Sequence, residues 1–123
     1  MFRQYFLFQF SEFTMNHLQL KQIRQLLFLS TKEAASLSSA TIRSWQRYED
    51  GTRSFPKEVK SMMIKLIEKR NRLISNFDES NPNCCFFATL DAFLEAGGRG
   101  DLSDWRIAQS VSAEVLSKKL KLE

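Results

Sequence analysis

Residues 30–51, STKEAASLSSATIRSWQRYEDG, are the stretch that decides the fold. Ser30 and Glu33 have the spacing of a capping box, in which each side chain bonds to the backbone N–H of the other, and this predicts the start of a short helix. Ser39 is the predicted N-cap of a second helix, and Gly51 is the predicted left-handed residue that ends it. Two short helices joined by a tight turn are typical of the helix-turn-helix unit of DNA-binding proteins.

The second of these helices is predicted to have one buried face and one exposed face. At about 100° per residue, Ile42, Trp45 and Glu49 share the inward side. The outward side is polar and consists of Arg43, Arg47, Ala40 and Ser44, with Gln46 and Ser39 at its flank. Arginine and glutamine can each make two hydrogen bonds to a purine edge in the major groove. The alternative is an ordinary surface helix with solvated charges, but the outward face carries no acidic residue before the last turn, which favours DNA.

Eight residues are therefore candidates for contacts with DNA. We expect contacts with base edges from Arg43, Gln46, Ser44 and Ser39. We expect contacts with phosphates from Lys32, Arg47, Arg53 and Thr41. The charge distribution agrees, since residues 15–77 carry twelve Lys/Arg and five Asp/Glu, whereas residues 78–123 carry five and eight. A basic segment followed by an acidic one suits a phosphate-binding module joined to a module with another partner, although chance clustering on a solvated surface gives the same asymmetry.

Apolar periodicity and breaker residues predict the remaining elements. They are a first helix ending near residue 29, a long helix from Pro56 to about residue 77, a linker at 78–83, a strand at 84–87, a helix at 89–96, a glycine loop at 97–100 and a last helix after residue 104. We therefore predict a mainly α protein, with a helix-turn-helix domain at 15–77 and a small α(+β) module at 78–123.

The second module is predicted to dimerise, because a tail of about forty residues with this apolar content is too small to stand alone. The residues expected at the dimer interface are Phe86, Phe87, Phe93, Trp105 and Val111.

Residues 1–14 contain five of the eleven phenylalanines of the chain. They lack the long apolar run and the cleavage site of a secretory signal, and they are too short for a membrane span of about 20 apolar residues. We expect an extension outside the domain, with Met15 as the original start; the alternative is an aromatic anchor that packs on a partner.

Catalysis and metal binding find little support in the sequence. Cys84 and Cys85 are adjacent and the chain has one histidine, so neither an ordinary disulfide nor a zinc spacing is present. We expect two ordinary thiols, one buried and one exposed on a strand. This cysteine usage favours the cytoplasm. Because no nucleophile motif or carboxylate pair is found, we predict that the protein is not an enzyme, and we expect no cofactor, metal or membrane.

From Met15 onward the chain resembles a known family of regulators. Residues 15–51 look like the helix-turn-helix of the phage-repressor class, and nearly the whole chain after Met15 is similar to the anti-CRISPR-associated (Aca-type) repressors and the related YdiL-type bacterial proteins. The segments that carry the resemblance are 20–27, 33–35, 43–46, 48–51, Pro56, 86–87, 90–94 and 104–111. The Trp-Arg-x-x-Gln-Ser-Val pattern at 105–111 is the most specific of them, because generic repressor domains lack it.

The resemblance implies a homodimer that binds an inverted repeat in the promoter of its own operon, in a bacterial host cell. It maps the arginine and the glutamine that contact the operator onto Arg43 and Gln46, and the helical wheel places Arg43 more directly outward. Three functions stay open: an autorepressor of an anti-CRISPR or mobile-element operon, an antitoxin-like regulator whose second half binds a toxin or other protein, and an interaction protein that does not bind DNA. RNA stays open as a further nucleic-acid partner.

Overall fold

The computed structural model describes residues 14–120, and every regular element in that range is helical. The elements are α1 (His17–Leu26), α2 (Thr31–Leu37), α3 (Ile42–Asp50), α4 (Lys57–Ser75), a 3₁₀ turn (Pro82–Cys84), α5 (Leu90–Glu95) and α6 (Leu102–Lys119). The prediction of a mainly α protein is therefore confirmed. The predicted extension at 1–14 lies outside the described residues except for its last residue.

The strand predicted at 84–87 is wrong. The Asn81 side chain accepts a hydrogen bond from the Asn83 N–H at 3.0 Å, and Pro82 begins a 3₁₀ turn that ends at Cys84. Turn chemistry thus outweighs the strand preference of the aromatic residues that follow. Cys84 is buried as expected for one of the two thiols, whereas Cys85 is half-buried and not on a strand.

Helix α2 begins at the predicted capping box. The Glu33 N–H donates to Ser30 Oγ at 3.0 Å, and the Ser30 N–H donates to Glu33 Oε1 at 2.9 Å. Helix α1 ends at Leu26, three residues before the predicted end, and Phe28 then adopts a left-handed φ of 62°. The chain turns here before α2, and both α1 and α2 then contact α3.

The connection between α2 and α3 differs from the prediction at Ser39. Ser39 is not an N-cap but the left-handed residue of the turn, with a φ of 60°. The N-cap is Thr41, whose Oγ1 accepts a hydrogen bond from the Ser44 N–H at 3.0 Å. Gly51 ends α3 in the left-handed conformation, as predicted.

Both halves of the chain contribute to one main core. Leu20, Trp45 and Met63 from the first half pack in the same cluster as Ile107 and Val111 from α6. Helix α4 contacts both α1 and α6, so its length serves to join the two halves. The division into segments 15–77 and 78–123 stays a prediction.

A smaller cluster lies beside the main core and is formed only by the second half. Phe93, Trp105 and Ala108 are its buried members, with Phe87 and Leu90 packed against them. The Phe87 and Phe93 rings meet edge to face with their centroids 6.1 Å apart. The apolar side chains of the second half are therefore mostly covered by the chain itself.

Candidate nucleic-acid interface

Helix α3 presents a polar face to solvent. Its buried side is formed by Trp45 and Tyr48, and Arg43, Gln46 and Arg47 are exposed. At about 100° per residue, Arg43 lies almost directly opposite the two aromatic residues, with Arg47 about 40° to one side of it and Gln46 about 60° to the other. Gln46 is therefore exposed but points obliquely relative to Arg43, which agrees with the sequence prediction.

Two residues near the start of α3 lie elsewhere than predicted. Ile42 was expected to be an inward anchor, but its side chain is 44% exposed. Ala40 was expected to face outward, but it is partly buried against the main core. The second anchor is Tyr48, whose ring packs edge to face on Trp45 with centroids 6.0 Å apart. Two aromatic anchors suffice for a helix of nine residues, so Ile42 is left at the edge of the exposed face.

A buried ion pair joins α3 to α1. The Arg24 guanidinium donates to both carboxylate oxygens of Glu49, at 2.5 and 3.1 Å, and the Trp45 indole N–H donates to Glu49 Oε2 at 2.6 Å. Arg24 also donates to the Leu29 carbonyl at 2.9 Å, so the guanidinium is held at both ends. These contacts prevent α3 from rotating about its axis, which fixes the direction of its exposed face.

The C-terminal end of α3 is fixed by local contacts. His17 Nδ1 lies 3.0 Å from the Glu49 carbonyl, and the His17 ring packs against Gly51 so closely that a Cβ there would lie 3.1 Å from it. The Asp50 carboxylate accepts hydrogen bonds from the hydroxyl and the N–H of Thr52, which lower the pKa of Asp50. Because Asp50 is exposed and ionised, the cationic part of the face is confined to the first two turns.

The structure brings two of the candidate residues together directly. Arg53 Nη1 donates to Ser44 Oγ at 3.2 Å, and the guanidinium carbon lies 6.0 Å from the centroid of the Tyr48 ring. Arg53 therefore extends along the side of α3. Ser44 is half-buried beneath it, and its hydroxyl oxygen accepts this one hydrogen bond.

The other candidates are distributed around the same helix pair. Lys32 is exposed in the first turn of α2, and Ser39 is exposed in the turn before α3. Thr41 is exposed at the start of α3, where its hydroxyl caps the helix.

The side chains of the Trp-Arg-x-x-Gln-Ser-Val pattern on α6 first contact one another and the Phe87 carbonyl, all within the second half of the chain. The indole N–H of Trp105 and the side-chain amide of Gln109 both donate to the Phe87 carbonyl, at 2.8 and 3.0 Å. The Arg106 guanidinium stacks over the Trp105 ring at 4.1 Å and donates to Gln109 Oε1 at 2.9 Å. Trp105 and Gln109 thus fix the position of the Arg106 guanidinium.

That guanidinium forms a two-pronged ion pair with α2. Arg106 donates from Nε to Glu33 Oε1 at 3.1 Å and from Nη2 to Glu33 Oε2 at 3.0 Å. Burial acts to raise the pKa of Glu33, but the hydrogen bonds from Arg106 and Ser30 outweigh it and lower that pKa. Glu33 is also half of the capping box, so the start of α2 is tied to α6.

A second connection runs through Ser110. Its hydroxyl donates to the Leu26 carbonyl at 2.6 Å and accepts from Arg70 Nε at 2.6 Å. Arg70 is buried and also donates to Glu114 at 2.7 Å, which lowers the pKa of that carboxyl. The end of α1, the middle of α4 and α6 therefore meet at one hydroxyl group.

The five residues expected at a dimer interface do not share an exposed surface. Phe93, Trp105 and Val111 are buried within the chain, and Phe87 is half-buried against Phe93. Only Phe86, at 59% exposure, is free to contact another molecule over most of its side chain. The large exposed apolar residues at the end of α6 are Leu116 and Leu120.

The described part of the chain is thus a helical protein with a basic helix face that long-range ion pairs hold in place. Within residues 14–120, no helix combines the length and the apolar character needed to cross a membrane. The family model described as Aca2/YdiL-like matches residues 15–123, and the chain belongs to this family.

Two relatives illustrate the similarity. The Aca2 repressor of Pectobacterium phage ZF40 is 32% identical over 105 residues, which cover 80% of this chain and 90% of that protein. The uncharacterized protein YdiL of Escherichia coli (strain K12) is 27% identical over 115 residues, which cover 87% of this chain and 98% of that protein.

Proposed function

We propose that this protein is a sequence-specific DNA-binding repressor. In this proposal α2, the turn after it and α3 form a helix-turn-helix, and α3 enters the major groove. The observation that carries the proposal is the exposed face of Arg43, Gln46 and Arg47 on a helix whose opposite side is locked to the protein. The membership of a family that includes a phage protein named a repressor supports it.

Base readout is assigned to the centre of that face. Arg43 can donate two hydrogen bonds to O6 and N7 of guanine, and Gln46 can bond N6 and N7 of adenine. Both residues lie in the first two turns of α3, and the N-terminal residues of a recognition helix are those that reach base edges. Ser39 and Ser44 are the remaining candidates for base contacts, and the Ser44 hydroxyl already accepts a hydrogen bond from Arg53 but can still donate one.

Phosphate contacts are assigned to the cations around the helix. Arg47 and Arg53 flank one side of α3, and Lys32 lies at the start of α2, where the backbone N–H groups of a helix also favour anions. The exposed hydroxyl of Thr41 can accompany them. These contacts add affinity for any sequence and make binding sensitive to salt.

We further propose that two copies bind an inverted repeat in the operon that encodes them, an anti-CRISPR or other mobile-element operon, in the bacterial cytoplasm. Phe86, Leu116 and Leu120 are exposed apolar side chains of the second half, and we assign the dimer contact to them. Light scattering should then give twice the chain mass of 14.4 kDa; a monomer at micromolar concentration contradicts the dimer.

Selection from a random duplex library tests the function directly. We expect enrichment of an inverted repeat whose half-sites lie about 34 Å apart, one turn of DNA. Binding to this repeat should weaken steeply with salt and should exceed binding to a scrambled duplex at every salt concentration. Equal affinity for the selected and scrambled duplexes would exclude sequence-specific repression.

A further inference from the structure

Ile42 is an apolar side chain on an otherwise polar surface. It is the first residue of α3 and is 44% exposed, and its exposed neighbours Thr41, Arg43 and Gln46 are all polar. The partly buried apolar residues that pack on the main core are other residues, such as Leu37 and Phe55. Ile42 is not among the residues of that cluster.

The position of Ile42 matches that of a residue that reads DNA. It lies one helical turn before Gln46 and so on the same side of α3, at the end of the helix that comes closest to the base edges. Its branched Cβ leaves one strongly preferred χ1 rotamer in a helix, so fixing the side chain in a complex costs little entropy. Because the ion pair between Arg24 and Glu49 prevents α3 from rotating about its axis, Ile42 stays beside the exposed polar face.

The chemistry of the major groove limits what such a side chain can contact. Isoleucine has no hydrogen-bonding group, and the 5-methyl group of thymine is the one apolar group that a base presents in the major groove. We infer that Ile42 is a specificity-determining residue that packs against a thymine methyl group in each half-site, beside the base pair that Gln46 contacts. This inference rests on the proposed function.

The test removes the methyl group from the DNA and the side chain from the protein. Each thymine of the selected operator is replaced in turn by deoxyuridine, which lacks only the methyl group, and binding is measured by gel shift for the full-length wild type and for Ile42→Ser. Leu94→Ser is the matched control, because Leu94 has the same 44% exposure but lies on α5.

We expect the wild type and Leu94→Ser to lose about fourfold in affinity at one thymine per half-site, the equivalent of one buried methyl group. Substituting both half-sites should then cost about fifteenfold. Ile42→Ser should bind all the deoxyuridine duplexes with affinities within twofold of its affinity for the unmodified operator, while it still prefers the operator to scrambled DNA. Circular dichroism melting checks that the variant is folded.

Two results would overturn the inference, and they are distinguishable. If wild type and Ile42→Ser respond identically to every thymine replacement while both prefer the operator, the inference fails and the proposed function stands. If the wild type does not prefer the operator to scrambled DNA, the proposed function fails and the inference fails with it.

Discussion

The ion pair between Arg24 and Glu49 predicts a specific pattern of stability in single and double variants. Both side chains are largely buried, with 12% and 9% exposure, and Glu49 is also the acceptor for the Trp45 indole N–H. Arg24→Met removes the guanidinium but keeps most of the apolar volume. It leaves the Glu49 carboxylate buried with one donor, the indole.

The size of the effect follows from the cost of a buried charge without its partner. Removing one member of a buried pair costs about 3–5 kcal/mol, whereas replacing both members is often nearly neutral. In Arg24→Met/Glu49→Gln no buried charge remains, and the glutamine carbonyl still accepts from Trp45. The residual loss should be about 1 kcal/mol, because the Leu29 carbonyl loses its hydrogen bond from Arg24.

Urea unfolding followed by circular dichroism measures both variants. We expect the single variant to lose about 3–5 kcal/mol in the free energy of unfolding, a large share of the 5–15 kcal/mol typical of small proteins. The double variant should regain most of this loss. A single variant within about 1 kcal/mol of wild type, or a double variant as unstable as the single one, would refute the reasoning.

Three further predictions concern stability and reactivity. Because the folded-state pKa of Glu33 is lowered, its pair with Arg106 stabilises the protein above about pH 4.3, and this effect is lost as the pH falls through the folded-state pKa. Urea unfolding of Arg106→Gln should therefore give a smaller free energy of unfolding than wild type at pH 7. That free energy should also fall less than in wild type as the pH is lowered into the acid range. Gly51→Ala should cost at least 1–2 kcal/mol in urea unfolding, because φ is +84° and the new Cβ meets the His17 ring; an unchanged midpoint contradicts this. Burial raises the pKa of the Cys85 thiol, so alkylation at pH 8 should be slower in the folded protein than in urea, and equal rates would contradict this placement.

The sequence predicts helix boundaries well where the capping contact is local. Ser30 and Glu33 lie within one turn, so their spacing alone indicates the contact that the structure contains. The cap of α3 is harder, because Ser39 and Thr41 are both suitable residues. The choice depends on the turn, in which Ser39 takes a left-handed φ that residue type does not disclose.

Contacts between distant segments could not be predicted from patterns along the chain. Arg24 and Glu49 are 25 residues apart, and Arg106 and Glu33 are 73 apart. Local periodicity contains no information on which charged residues meet across the fold. The sequence therefore indicated that the Trp-Arg-x-x-Gln-Ser-Val pattern is specific, but not that it positions Arg106 against α2.

The helical wheel succeeded for the main anchor and failed at the edge of the face. Trp45 is buried and Arg43 is exposed, as predicted, because both lie near the centre of their sides. Ile42 lies at the boundary between the buried and exposed sides of α3. Its hydrophobicity predicted that it would be buried, but the second buried anchor is Tyr48. A similar competition explains the second half, where Phe93 and Trp105 were expected at an interface and instead pack on each other.

The central claim is that Arg43 reads a base while the cations around it contact phosphates. Gel shifts with the selected operator and a scrambled duplex, at two salt concentrations, test it with three variants that each remove one positive charge. They are Arg43→Ala, Arg47→Ala and, as a control in the loop before α6, Arg99→Ala.

We predict that Arg43→Ala weakens operator binding by about 1–3 kcal/mol per half-site and leaves binding to scrambled DNA nearly unchanged. Arg47→Ala should weaken both duplexes equally and flatten the salt dependence, and Arg99→Ala should do neither. If Arg43→Ala weakens both duplexes equally, Arg43 is a phosphate contact. If it weakens neither, α3 is not the helix that reads DNA, and the account is contradicted at its centre.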